Sequence, residues 1–426
     1  MSTKRYIGYS LFMLLLCTTL NAQVPDKIYL PTIHNVKLNY SGNQLAYPII
    51  GLNSADRLDL NFDDLAGGVR NYAYTWQICN ADWSPTNLSE FDYIRGFTQN
   101  RIQNYRNSSI ALVKYTHYMV TLPESSCVPA RSGNYLLKVF ADGDTAKVIF
   151  TRRVLVVDNK ASVGAQIQQP FDGQLFKTHQ KIIFTVNTGS LNLISANQQV
   201  KIVILQNNRW DIALTGIVPT FIRPASLEYN AENIVFPGGR EWRWLDLRSF
   251  RLQSDRVARA AYNPNSTDIF VKPDLDRAAQ RLVYYKDYNG MYYNDVSENV
   301  NPLWQSDFAD TRFSFIPPGN QPFAGKDVYL FGELTNYGLD EHAKMTYNAA
   351  SGIYETSLLL KNGYYSYDYI TVDQQTGTHS FEFTEGNLWD TENSYTILVY
   401  YRSINGRADE LIAVSHINSL TGRSGY

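Results

Sequence analysis

Residues 72–79 read YAYTWQIC, and the pattern of that stretch sets the fold class. Aromatic and β-branched side chains in an alternating run suit a pleated, half-buried strand. The same kind of run recurs at 28–40 (IYLPTIHNVKLNY), 56–62, 116–122, 134–140 and 147–157. Ala141-Asp142-Gly143-Asp144 between the last two is a hairpin signal. Six strands in so short a span, punctuated by turns, describe a small β-sandwich. The exception is a long polar excursion over residues 80–115, between the third and fourth strands. Long loops of that kind inside compact domains are usually functional.

Further along, strands are expected at 163–167, 181–187 and 199–206, then an aromatic-basic run, FPGGREWRWLDLRSFRLQ, at 236–253. YYKDYNGMYYND at 284–295 reads as a hairpin around Asn289-Gly290. A last group covers 327–338, 352–360, 363–372 and 395–403. No long 3.6-residue apolar period appears, and no solenoid-type repeat. The expectation is an all-β chain of three β-sandwich domains in series, immunoglobulin-like or E-set-like. Their bounds are 23–158, 159–305 and 306–426, after a signal peptide at 1–22.

The N-terminus indicates the compartment. Lys4 and Arg5 precede an apolar core, LFMLLLC at 11–17, and Leu20-Asn21-Ala22 forms a small-residue cleavage site. That arrangement is a secretory signal, too short for a membrane span. Leu16 stands where a lipidation signal wants a small residue. Thirty-one tyrosines, 20 phenylalanines and 7 tryptophans accompany only 18% charged residues and a net charge of −2. Such a chain has no electrostatic footprint for nucleic acid, whereas tyrosine excess suits large binding surfaces.

Local chemistry is sparse. The cysteines beyond the signal are Cys79 and Cys127, and no histidine lies near either in sequence. A catalytic Cys79 helped by Asp82 has no local signature. The pair could be a disulfide, which a secreted chain permits, or two separate buried thiols. No HExxH, CxxC or close histidine pair offers metal-ligand spacing. Asp287-x-Asn289-Gly290 resembles part of a calcium loop but lacks the bidentate glutamate, and a tight turn explains the same letters. Phosphate-binding glycine loops and nucleophile elbows are missing. The expectation is a non-enzyme with no cofactor, no metal and no catalytic residue.

Two resemblances go further. Residues 327–372, with Gly332, Asn336, Gly352, Tyr354, Gly363, Tyr365 and Tyr367, resemble the β-sandwich module appended to starch- and glycogen-active enzymes. That implies an alternative function, a periplasmic glycan-binding protein beside outer-membrane enzymes. The second covers the chain. CNADWSPTNLSEFDYIRGF (79–97), NYRNSSIALVKYTHYMVTLPE (104–124), SGNYLLKVF (132–140), TRRVLVVD (151–158), FPGGREWRWLDLRS (236–249) and GNLWDTENSYTILVYYRSINGRADELIA (386–413) together resemble the plug proteins of the type IX secretion system. The resemblance implies a periplasmic protein docked to a very large outer-membrane β-barrel translocon, and to its accessory subunits, that seals the periplasmic opening. It transfers no contact residue. The excursion itself suggests them: Trp83, Tyr93, Arg95, Tyr105 and Arg106 are of the aromatic and arginine types that dominate interface hot spots. The competing reading packs the excursion back on its own sheet, with Trp83 and Phe97 as core.

Overall fold

The computed structural model describes residues 25–189, 191 and 193–423; the expected signal peptide at 1–22 lies outside them. Strands dominate, and among the described residues the helical elements are single turns of three or four residues. In the strand Tyr72–Cys79, Tyr72, Tyr74, Trp76 and Ile78 enter the core, so Thr75, Gln77 and Cys79 take the opposite face. This strand lies in a five-stranded sheet ordered 49–51, 148–157, 133–141, 72–79, 99–101. The facing sheet runs 33–40, 58–64, 116–122, 104–107. Phe62, Tyr118, Tyr135 and Phe150 fill the space between them with Trp76. Asp142 and Gly143 make the expected turn with φ of 56° and 71°.

A second sandwich pairs a sheet ordered 162–168, 179–187, 226–229, 221–223 with one ordered 209–214, 200–206, 394–401, 410–418. The last two strands correct the serial boundaries expected from sequence. Ser394–Tyr401 pairs with Val200–Gln206 along its whole length, and Tyr395, Ile397, Val399 and Ile412 bury against Ile182, Phe184 and Val186. The remaining strands, from Arg243–Asp246 to His379–Ser380, make two further facing sheets around Phe313, Phe315, Leu330, Tyr367 and Tyr369. Strands from 243–293 therefore belong with those after 306, and the third core interrupts the second in sequence.

The chain leaves and re-enters the second sandwich at one place. Gly239 N donates to Asn387 Oδ1 (3.1 Å), Thr391 Oγ1 to Gly239 O (2.8 Å) and Asn393 Nδ2 to Gly238 O (2.8 Å). The crossing strands touch so closely that a Cβ on Gly238 would stand 2.0 Å from Leu388 O, so only glycine fits. The expected hairpin at 284–295 is also corrected. Asn289 and Gly290 do turn with positive φ, but Tyr292–Tyr293 pairs with Tyr364–Asp373 rather than with residues 284–288. The neighbouring long strand offers more cross-strand aromatic contact, including Tyr292 stacked on Tyr365 at 5.2 Å.

Buried polar groups tie the first sandwich to the third. Lys361 Nζ donates to Asp63 Oδ2 (2.7 Å) and Leu303 O (2.6 Å), while His117 Nδ1 lies 2.7 Å from Asp63 Oδ1. All three side chains are fully buried. Lys37 Nζ reaches Glu333 Oε1 and Tyr292 O, each at 2.7 Å, and Arg152 Nη2 donates to Asn336 Oδ1 (2.9 Å). The contact with the second sandwich is apolar at its centre, with Leu155 and Val157 against Val203, Leu205, Leu398, Tyr400 and Leu411. Tyr400 OH donates to Asn134 Oδ1 at 2.7 Å there.

Candidate docking surface

The excursion at 80–115 divides into parts with different duties. At its start Trp83 N donates to Asn80 O (2.9 Å), and Trp83 takes a φ of 65°. This tight turn sends the indole against Trp210 of the second sandwich, ring centroids 5.0 Å apart, with the Arg153 guanidinium over both. Ala81 N donates to Asp409 Oδ2 (2.9 Å) and Arg402 Nη2 to Asn80 Oδ1 (2.5 Å). Trp83 is therefore committed to an internal interface, and its assignment as a partner-binding residue is corrected. Tyr93 is corrected as well: it lies in the first core, its carbonyl accepting from Tyr135 OH at 3.4 Å.

Next, Ile94–Gly96 pairs with Cys127–Pro129, and Gly96, at φ 98°, leaves no room for a Cβ, which would stand 2.2 Å from Ser126 O. The strands Gln99–Arg101 and Asn104–Asn107 then supply an edge strand to each sheet of the first sandwich, with Ile102 buried between them. Tyr105 and Arg106 are exposed on that edge, the Tyr105 ring 6.0 Å from Tyr118. Further on, Ala111 and Tyr115 wedge against Phe308 of the third sandwich. Asp307 accepts from Leu112 N (2.9 Å) and Val113 N (3.0 Å). Most of the excursion thus packs on its own protein, as the competing reading has it, though Phe97 does not.

What remains outward is a small apolar-basic tip. Ser89 N donates to Asp92 Oδ2 (3.0 Å), opening the one-turn helix Glu90–Tyr93. With Tyr93 turned inward, Phe91 is 84% exposed and Phe97 70%. Arg95 between them makes one long hydrogen bond, to Asn53 Oδ1 at 3.4 Å. Phe91 escaped the residue-type argument. The Ser-x-x-Asp spacing was its signal, because a helix capped at Ser89 puts residues 91 and 93 on different faces.

The cysteines are free and buried, which corrects the possible disulfide. Cys79 ends a strand paired with Gly133–Ala141, and Cys127 begins one paired with Ile94–Gly96. Burial pushes both thiols up to about 12, so neither is a thiolate nucleophile at neutral pH. Asp82 spends its carboxylate on Ser84 N (3.0 Å) and Ser84 Oγ (2.5 Å). Asp287 accepts from Asn289 N (2.8 Å) and from Trp242 N, and burial pushes its carboxyl up to about 7. Among the described residues no three acidic, histidine or cysteine side chains are placed to share a metal ion. Tyr354, Tyr365 and Tyr367, the tyrosines of the glycan-module resemblance, are buried. On the outer face Tyr364 is stacked between Trp244 and Tyr293, so its ring faces are taken.

Fold and surface together define an all-β protein of stacked sandwiches, with Phe91 and Phe97 exposed beside Arg95 at the tip of the excursion. Residues 33–158, which make up the N-terminal sandwich, match the family model described as "Type 9 secretion system plug protein 1st domain". That is a secretion-system family and not an enzyme family. A crystal structure of a hypothetical protein from Parabacteroides merdae superposes with a TM-score of 0.89 at 29% identity, covering 93% of this chain and 100% of that one. An alpha-2-macroglobulin reconstruction from E. coli aligns at a TM-score of only 0.16 and 9% identity, over 93% of this chain and 23% of that one. No curated protein matches.

Proposed function

We propose that the chain is a non-enzymatic periplasmic plug that binds the giant outer-membrane β-barrel of type IX secretion and seals its periplasmic opening. The match of residues 33–158 to the plug-protein domain carries this reading. A very large barrel encloses a water-filled lumen, so its stopper must be broad and hold its shape. Buried ion pairs such as Lys37–Glu333 and Lys361–Asp63, which join the first and third sandwiches, suit that demand.

Affinity purification of the tagged chain from gently solubilised outer membranes is the test. Recovery of one very large β-barrel is expected, and its absence from the eluate overturns the reading. The exposed tip makes the assay residue-specific. Arg95→Glu combined with Phe97→Ser is expected to weaken barrel recovery about tenfold, the effect of one hot-spot residue. Folded yield should not change, because both side chains project into solvent. Full recovery with the double variant would remove the tip from the docking surface without touching the function.

A further inference from the structure

A cavity of about 220 Å³ lies on the outer face of the first sandwich, between the strands Tyr72–Cys79 and Gly133–Ala141 and the arm carrying Thr86, Leu88 and Glu90. Register fixes what faces it. Trp76, Ile78, Leu137 and Val139 point into the core, so Gln77 and Lys138 point outward. Lys138 stands opposite Thr75 and Gln77 opposite Leu136, which makes Gln77 and Lys138 diagonal cross-strand neighbours, about 7–8 Å between backbones. The second sandwich covers this face over Leu155, Val157 and Asn134, and it contributes no residue to the lining of the cavity at Gln77 and Lys138.

Both groups are donors without acceptors. Among the described residues the Lys138 ammonium forms no salt bridge or hydrogen bond, and the Gln77 side-chain amide forms no hydrogen bond. Elsewhere in this protein buried lysines are paired: Lys37 with Glu333, Lys181 with Glu232, Lys361 with Asp63. Burial pushes the Lys138 ammonium below its ordinary value, and the Glu90 carboxylate opposes this only in part. A half-buried cation lacking a counter-ion is costly unless something supplies one. Glu90 lines the same cavity without forming a salt bridge to Lys138, and its carboxylate opposes the entry of an anion.

We propose that this cavity is a carboxylate-binding site in which the Lys138 ammonium and the Gln77 amide each donate to one carboxylate oxygen. The ligand is an acid small enough to enter, either free or as the side chain of an acidic peptide. A charge-assisted bond from lysine is about twice as strong as a neutral one, and a second donor beside it can take the other carboxylate oxygen. The site is independent of whether the chain acts as a plug.

Calorimetry on the purified full chain tests it, with acetate and with the end-blocked peptide Gly-Gly-Glu-Gly-Gly as probes. Saturable binding of at least one probe is expected. Lys138→Met should weaken it about tenfold or more, the scale of a lost charge-assisted bond. Gln77→Ala should weaken it less, and Glu90→Gln should strengthen it by removing the repelling charge. Acetate binding would mean that a free acid suffices; binding of the peptide alone would assign the site to an acidic side chain. Thermal melts keep the variants interpretable, since Lys138→Met removes an unpaired cation and should leave the fold at least as stable. No saturable binding of either probe, or an isotherm unchanged in Lys138→Met, overturns the proposal.

Discussion

Lys361→Met is expected to lower stability by about 3–5 kcal/mol, the usual cost of stripping one partner from a buried ion pair. The ammonium bridges two sandwiches, and its loss leaves Asp63 buried with only His117 and Asn35 Nδ2 (3.1 Å) beside it. Urea denaturation monitored by tryptophan fluorescence reads the effect. The double variant Asp63→Asn with Lys361→Met should regain most of the loss, because the uncompensated charge is gone. Lys326→Ala is the control: its pair with Asp373 (3.2 Å) is part-exposed, so about 0–1 kcal/mol is expected. A loss below about 1 kcal/mol in Lys361→Met would show that the cluster does not hold the sandwiches together.

The same cluster sets an acid limit. Burial alone would raise the Asp63 carboxyl, but Lys361 and His117 outweigh it and hold the group below its ordinary value. A depressed carboxyl contributes stability that is present above its unfolded value of about 3.9 and lost as pH falls further, through its folded value. The advantage of the native chain over Asp63→Asn should therefore be constant near neutrality and shrink below about pH 4.

Arg243→Met should be comparably severe, about 3–5 kcal/mol, for the same reason. Arg243 Nε and Nη2 donate to the two oxygens of Glu385 (3.0 Å each), Nη1 to Asp274 Oδ1 (2.9 Å) and Nη2 to Leu275 O (2.7 Å). Arg277 shares Glu385 through Nε (2.6 Å), and Tyr367 and Tyr369 hydroxyls donate to Asp274 Oδ2 (2.8 and 2.9 Å). Removing the central guanidinium leaves Glu385 to Arg277 and Asp274 to Arg256 and the two tyrosines, so each buried carboxylate loses one of its cationic partners. Arg243→Lys should recover little, since an ammonium cannot grip Glu385 with two parallel bonds and reach Asp274 as well. Differential scanning calorimetry should show the third sandwich melting first in both variants. A Lys variant as stable as the native chain would mean that charge, not fork geometry, matters there.

Much of the fold was readable in the sequence. Tyr72–Cys79 and Thr116–Leu122 appear as strands with the bounds their alternation gives, because period-2 patterning is a local property. The run at 395–403 was equally legible as a strand, found at Ser394–Tyr401, but not the sheet it joins. An alternating run pairs as well with a strand two hundred residues away as with a neighbour, and Val200–Gln206 is such a distant partner. The tip was half legible. Of the five residues offered as partner contacts, Arg95 at the tip and Tyr105 and Arg106 on the edge strand are exposed, whereas Trp83 and Tyr93 pack inward. Aromatic residues serve cores and interfaces alike, so residue type cannot separate the two uses. Cysteine spacing likewise carries no information on whether Cys79 and Cys127 meet.

The sequence by itself determined the all-β class, the strands, the turns and the likeness to a secretion plug, since these rest on local alternation and on ordered motifs. Tertiary structure alone decided which strands share a sheet, that the third core interrupts the second, and which aromatics reach solvent. It also brought together Asp63, His117 and Lys361, and set Gln77 beside Lys138. Each of those outcomes depends on contacts between residues far apart in the chain, where burial and pairing follow from the packed arrangement and leave no local trace.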